Sequence, residues 1–199
     1  MTETFIYTLT MPTTIRPAAP ADIPAMQALI ARSGVQLSVG FYTDEQAAAI
    51  TRDVFGVDSQ LVVDQTYFAV EEAGVIVACG GWSKRATVFG GDQHKSSGED
   101  RLLDAASEPA RIRAFFVEPA MARRGLGGKL LDHCVAEARA AGFTALELMS
   151  TMPGVPLYLA YGFAPLETIA LPLSGDVTVA LTRMRRELAP ASHDRASIV

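Results

Sequence analysis

The sequence predicts a single mixed α/β domain. Three observations carry this. Segments with helical spacing of apolar residues alternate with short apolar runs of strand type. Two β-rich runs flank "EEAG", a hairpin signal. No repeat or Pro/Gly/Ser-rich linker interrupts the 199 residues, a length suited to one core. The domain is expected over 13–188, with a loose extension at 1–12 and a frayed tail at 189–199. Whether translation starts at Met1 or Met11 is left open.

Taken in order, "TTIRPA" (13–18) reads as a short strand stopped by Pro17. "ADIPAMQALIARSG" places Ile23, Met26, Leu29 and Ile30 on one helix face. Asp22 suits its N-cap, Pro24 is tolerated in the first turn, and Gly34 is the expected stop. In "YTDEQAAAITRDVFG", Thr43 and Gln46 fit a capping box and Gly56 ends the helix. "TYFAV" and "VIVACGGW" form the predicted hairpin. A polar loop spans roughly 84–109, a length that is uncommon and often functional.

"RIRAFFV" (111–117) is an apolar strand. In "KLLDHCVAEARAAG", Leu130, Leu131, Cys134, Val135 and Ala138 share a helix face, and Gly142 caps the end. "ALELMS" is a further strand, "VPLYLAYGF" a short helical turn closing at Gly162, and "DVTVALTRM" the last strand of a final hairpin.

Composition narrows the function. Hydrophobic residues make up 49% and charged residues 20%, which is ordinary globular usage. A formal charge of −5 argues against bulk nucleic-acid binding. No apolar run approaches the ~18 residues of a membrane span. The start "MTETFIYTLTMP" lacks a basic region and a long apolar core, so it does not read as a signal peptide. Cys79 and Cys134 lie in apolar segments and read as buried thiols of a reducing compartment. With His94, His133 and His193 they show no zinc spacing, so no metal is expected. These readings point to a cytoplasmic protein.

"ARRGLGGKLL" (122–131) is the local exception to an acidic chain. A helix start offers unpaired N–H donors and a partial positive charge. Gly125, Gly127 and Gly128 remove side chains that would keep an anion away. Arg123 and Arg124 add charge and forked donors suited to phosphate. The usual P-loop is absent, because Leu130 follows Gly128-Lys129 and Arg123 stands where a glycine is needed. The G-x-G-x-x-G fingerprint fails at Leu130. Alone, the stretch reads either as a phosphate cradle or as a solvated basic turn.

"RAFFVEPAMARRGLGGKLL" resembles the acetyl-CoA-binding segment of the GCN5-related N-acetyltransferases. There an apolar strand leads through a Val-x-Pro-like turn to Q/R-x-x-G-x-G/A and a helix. Here "ARRGLG" (122–127) matches, with Ala122 in place of the usual Gln or Arg. The resemblance runs from about 13 to 187. It implies a mixed, mostly antiparallel central sheet with a splayed strand pair, flanked by helices. It implies acetyl-CoA as co-substrate, its pantetheine arm along Phe115, Phe116 and Val117. The pyrophosphate would lie on Arg123, Arg124, Gly125, Leu126, Gly127 and Gly128. The reaction implied is acetyl transfer to a primary amine, of a small molecule or a peptide, by direct attack in a ternary complex. A non-catalytic acyl-CoA-binding or sensing module on the same scaffold is the alternative. Association as a homodimer is left open.

Acetyl transfer needs a neutral amine, a polarised carbonyl and a proton for the thiolate. The amine has a pKa near ~10, the thiol about 8.5 and tyrosine about 10. A phenol can therefore protonate sulfur without being ionised itself at neutral pH. "PLYLAYGF" resembles the family's F/L-Y-x-x-x-G-F segment, which makes Tyr158 the expected acid. Tyr161 reads as structural. The backbone N–H of Val117 is the expected oxyanion donor. Glu147 is a candidate base or a surface carboxylate, and a water chain could also take the proton. Thr151 stands near the family's cofactor-contacting Asn. In the long loop, His94 with Asp92, Glu99, Asp100 and Asp104 forms either an acidic rim or a solvated stretch. Glu71 and Glu72 read as solvated, and Trp82 as core or pocket wall.

Overall fold

The computed structural model describes residues 12–94 and 101–188. The expected extension before Pro12, the tail from 189 on, and Glu99 and Asp100 lie outside the described residues.

Seven strands form one sheet: β1 (Thr13–Pro17), β2 (Tyr67–Glu72), β3 (Val75–Ser83), β4 (Ala110–Val117), β5 (Ala145–Thr151), β6 (Ala164–Pro172) and β7 (Thr178–Glu187). Their spatial order is β1-β2-β3-β4-β5-β7-β6. Every neighbouring pair is antiparallel except β4 with β5, which is parallel. That parallel pair is short. Only Ala110 with Leu146 and Arg111 with Glu147 are in register, after which the two strands diverge. The sheet is therefore mixed, mostly antiparallel and splayed in its middle.

A bulge adds to the divergence. Cys79 pairs with Phe116 and Gly81 with Arg113, so Ala114 and Phe115 together oppose one residue of β3. Ala114 takes a left-handed φ of 56° there. The Tyr67 hydroxyl donates to its carbonyl at 3.4 Å.

Side chains alternate along the strands and build a core on each face. On one face lie α4 (Leu126–Ala140) and α5 (Val155–Ala160). Leu130, Leu131 and Cys134 pack there on Phe68, Val70, Leu146 and Leu148. Trp82 belongs to this core, edge-on to Phe143 at 5.9 Å. The other face carries α1 (Ile23–Gln36), α2 (Asp44–Asp53) and α3 (Ser59–Val63). Met26, Leu29 and Ile30 pack there with Leu61 and Tyr67, while Ile50 and Val54 meet Val179 and Leu181.

The capping box is present: Thr43 Oγ1 accepts from the Gln46 N–H at 3.2 Å, and Gln46 returns the bond at 3.1 Å. Gly142, at φ 90°, closes α4 as expected. Gly34 does not stop α1, which runs on to Gln36. A Cβ at Gly34 would lie 2.6 Å from Thr51 Oγ1 and 2.8 Å from the Phe55 ring, so the glycine serves close packing of α1 on α2. Asp22 does precede α1, but its carboxylate pairs with Arg16 rather than capping. The short α3 was not anticipated, although Asp58 caps it at 3.1 Å.

The long loop is fastened rather than solvated over its described part. At its base Arg85 pairs with Leu102 as an isolated bridge. Further along, residues 88–94 fold back against α2 and α3. The N–H of Gly91 donates to Val54 O at 2.9 Å and that of Asp92 to Val57 O at 3.0 Å. Among the described residues, no helix is long and apolar enough to cross a membrane.

Candidate functional site

A cleft of about 120 Å³ opens where β4 and β5 part. Ile112 to Phe116 of β4 line one side, and Met149, Ser150 and Thr151 of β5 the other. Tyr158 reaches it from α5, and Phe89, Gly90 and Gly91 wall it from the long loop. The ion pair of Arg113 with Asp58, at 2.9 Å, supports this wall, and Arg113 also donates to Gly90 O.

Tyr158 is buried, 8% exposed, with Phe115 and Phe163 edge-on at 6.4 and 5.6 Å. Burial pushes its phenol above the ordinary value, and the nearby Cys134 adds to the effect. Its proton is therefore held throughout the neutral range. Phe116 turns to the opposite face and meets Phe55 at 5.1 Å. The N–H of Val117 points away from β3 and donates to Ser33 Oγ over a long 3.4 Å, whereas Glu118 bonds back to β3. Ser33, which the sequence did not single out, is buried beside this donor. Ser150 is a second such residue; it borders the cleft next to Thr151.

At the far end of β4 the chain turns into α4. Arg123 and Gly125 take φ values of 65° and 81°. Lys129 is the first residue whose N–H finds a helical acceptor, at Gly125 O. The N–H groups of 123–128 have no backbone acceptor among the described residues. Alternating handedness with consecutive free N–H groups makes a concave anion nest, and the start of α4 adds its dipole. The orphaned donors fit a pyrophosphate. Arg123 is exposed over this turn, while Arg124 pairs with Glu72 at 2.9 Å. Glu71 pairs with Arg16 at 2.6 Å, so both hairpin glutamates are held rather than solvated.

The glycines divide the work. Gly125 supplies the left-handed φ, and its missing side chain leaves open space. Leu126 faces the core and can offer only backbone. Gly128 is buried. A Cβ there would lie 2.2 Å from the Tyr161 hydroxyl oxygen, so its bareness accommodates Tyr161 rather than an anion.

Glu147 does not line the cleft. It is 2% exposed, and its two oxygens are ion-paired with Arg111 and with Arg183, the latter at 2.9 Å. Asp92 accepts from the N–H of Ser59 and Asp104 from the Ser107 hydroxyl, and neither lines the cleft. His94 lies against Phe89 at 5.1 Å. Burial pushes the Cys79 thiol up to about 12 and raises that of Cys134 as well, so neither is a ready nucleophile. No cluster of three metal-ligating side chains occurs among the described residues.

The sequence matches the model of the acetyltransferase (GNAT) family over residues 36–163. No curated protein matches the chain by sequence. Among solved structures, it is similar to a GCN5-related N-acetyltransferase from Rhodopseudomonas palustris at 18% identity and a TM-score of 0.64, covering 90% of this chain and 99% of that one. PaiA N-acetyltransferase from Thermoplasma acidophilum, solved with coenzyme A, is similar at 12% identity and a TM-score of 0.58, covering 89% and 99%. The ribosomal-protein-S18-alanine N-acetyltransferase of Escherichia coli is similar at 17% identity and a TM-score of 0.56, covering 92% and 98%. At these identities the likeness is one of fold.

Proposed function

Because the chain belongs to the acetyltransferase (GNAT) family, with acetyl-CoA as co-substrate, we propose that it acetylates a primary amine by direct attack in a ternary complex. The observation that carries the reading is the position of Tyr158, a buried phenol lining the cleft opened by the parting of β4 and β5.

The nest at 123–128 holds the pyrophosphate, with Arg123 as the added charge. The β5-facing backbone of Phe115, Phe116 and Val117 pairs with the amides of the pantetheine arm, and Thr151 contributes its hydroxyl across the gap. The amine nitrogen bonds to the thioester carbonyl carbon. Val117 N–H stabilises the oxyanion, and Ser33 gives up its long contact to allow this. The carbon–sulfur bond then breaks, and Tyr158 gives its proton to the leaving sulfur. The amine releases its own proton to water, and the phenolate is reprotonated from solvent. Glu147 is the less suitable base, since two arginines occupy its carboxylate. The unpaired, buried cysteines fit a reducing compartment and so support a cytoplasmic enzyme.

The test is thiol release from acetyl-CoA over a panel of amines, with the wild-type protein and Tyr158→Phe. Amine-dependent release that is lost in the variant supports the reading. Release that survives in it, or none with any amine, refutes it.

A further inference from the structure

The cleft has a second lining. Opposite Tyr158, the side chains of Ile50, Val54, Phe55, Phe89, Met149 and Leu181 converge on it. These six belong to one apolar cluster between α2, the long loop and the β5–β7 part of the sheet. Phe55, Phe89 and Met149 are only half-buried, so the cluster keeps apolar surface open toward the cleft.

This wall is built in advance. Three consecutive links tie the loop to the segment that ends α2: Gly91 N–H to Val54 O, Asp92 N–H to Val57 O, and Gln93 Nε2 to Phe55 O. The Asp92 carboxylate accepts from the Ser59 N–H at 3.0 Å, and Arg113 holds Gly90 O from below. Such bonds fix Phe89 without help from a ligand and lower the ordering cost of binding. They also hold the loop against the α2 side of the cleft.

A volume of about 120 Å³ is well under the ~300 Å³ at which drug-sized pockets begin. The thioester end of the carrier takes the part beside Tyr158 and Thr151, so the room left for the acceptor is that of one compact group.

We propose that the acceptor is a small primary amine carrying one compact apolar group, from branched alkyl to phenyl. That group seats on Phe55, Phe89 and Met149, backed by the buried Ile50, Val54 and Leu181, and its amine is turned toward Tyr158 and the end of β4. This rests on the acetyltransferase reading of the same cleft. A peptide would have to route its chain back out of the mouth, so its N-terminal amine is the poorer acceptor.

The experiment is kcat/KM for thiol release from acetyl-CoA with 2-phenylethylamine, 3-methylbutylamine, ethanolamine, spermidine and a peptide beginning with leucine. CoA affinity is measured alongside by calorimetry. The apolar amines are expected to exceed ethanolamine, spermidine and the peptide by roughly 10- to 100-fold, the range that apolar pocket contacts supply. Phe89→Ala should lower kcat/KM for 2-phenylethylamine about 10-fold more than that for ethanolamine, with the Kd for CoA measured alongside as the control for an intact fold. Preference for spermidine, ethanolamine or the peptide overturns the inference while the acetyltransferase reading stands. Equal loss for all amines in Phe89→Ala, with CoA binding intact, also overturns it. CoA binding without turnover of any amine overturns both.

Discussion

Arg111 and Glu147 are the last residues in register between β4 and β5, and their side chains form an ion pair at the point where the strands separate. Arg183 of β7 closes on the same carboxylate from the other side. The fork in the sheet, from which the cleft opens, is thus fastened by a buried charge with two partners. Desolvating such a group is costly unless it is paired, and losing one member of a buried pair is more costly than never having it.

Glu147→Gln keeps the shape and removes the charge, leaving Arg111 buried without its anion. The variant is expected to lose about 3 kcal/mol, seen as a lower urea midpoint with an unchanged m-value. A role as catalytic base predicts the reverse, an unchanged midpoint and collapsed turnover.

Burial raises the phenols of Tyr158 and Tyr67, in the latter case strongly. Unfolded tyrosine titrates near ~10. Above that pH the unfolded chain has released protons that the folded chain retains, so folding stability falls as pH rises. The stability is whole below pH ~10 and declines above it, and Tyr158→Phe should flatten part of the decline in urea midpoints taken across that range. For the same reason turnover should show no alkaline limb below pH ~10 from loss of the acid. On the acid side, Arg85 holds Asp64 below the usual carboxylate range, with Gln60 assisting against burial. Its contribution is present above pH ~3.9 and is lost as pH falls below that value.

Gly128→Ala brings a Cβ into the space of the Tyr161 hydroxyl. The expected cost is about 1–3 kcal/mol of overpacking. Tyr161→Phe removes the nearest atom, so the double variant should recover part of the loss in a mutant cycle read by thermal unfolding. If Gly128 instead serves an anion, Gly128→Ala will weaken CoA binding and leave the melting temperature in place.

Arg123 is exposed over the nest and makes no ion pair with a described residue, unlike Arg124. Arg123→Ala should leave stability within about 0.5 kcal/mol of wild type. It should weaken CoA binding several-fold and reduce the dependence of that binding on salt. Titrations at two ionic strengths check both effects.

Much of this was legible in the sequence because it is local. The capping box at Thr43 and Gln46, the apolar faces of α1 and α4, and the "ARRGLG" turn depend on residues a few positions apart. What was hidden depends on distant pairing. Gly34 reads as a helix stop, but α2 packs against it and the helix continues. Gly128 reads as part of an anion cradle until Tyr161, 33 positions on, is seen to fill the space above it. Glu147 looks like a free strand carboxylate until Arg111 and Arg183 arrive on neighbouring strands. The long loop reads as polar and solvated, because the carbonyls of Val54 and Val57 that fasten it carry no sequence mark. Ser33 and Ser150 could not be found from spacing, since only the fold brings them to the cleft region.

We assign to Tyr158 the protonation of the leaving sulfur, within a carrier site proposed at β4 and the start of α4. Paired measurement of CoA affinity and kcat in Tyr158→Phe separates this role from carrier binding. The expected result is an unchanged Kd and a kcat lowered by about 10²- to 10⁴-fold, the usual worth of a general acid. An unchanged kcat, or a loss of CoA binding that explains the whole effect, would remove Tyr158 from that role.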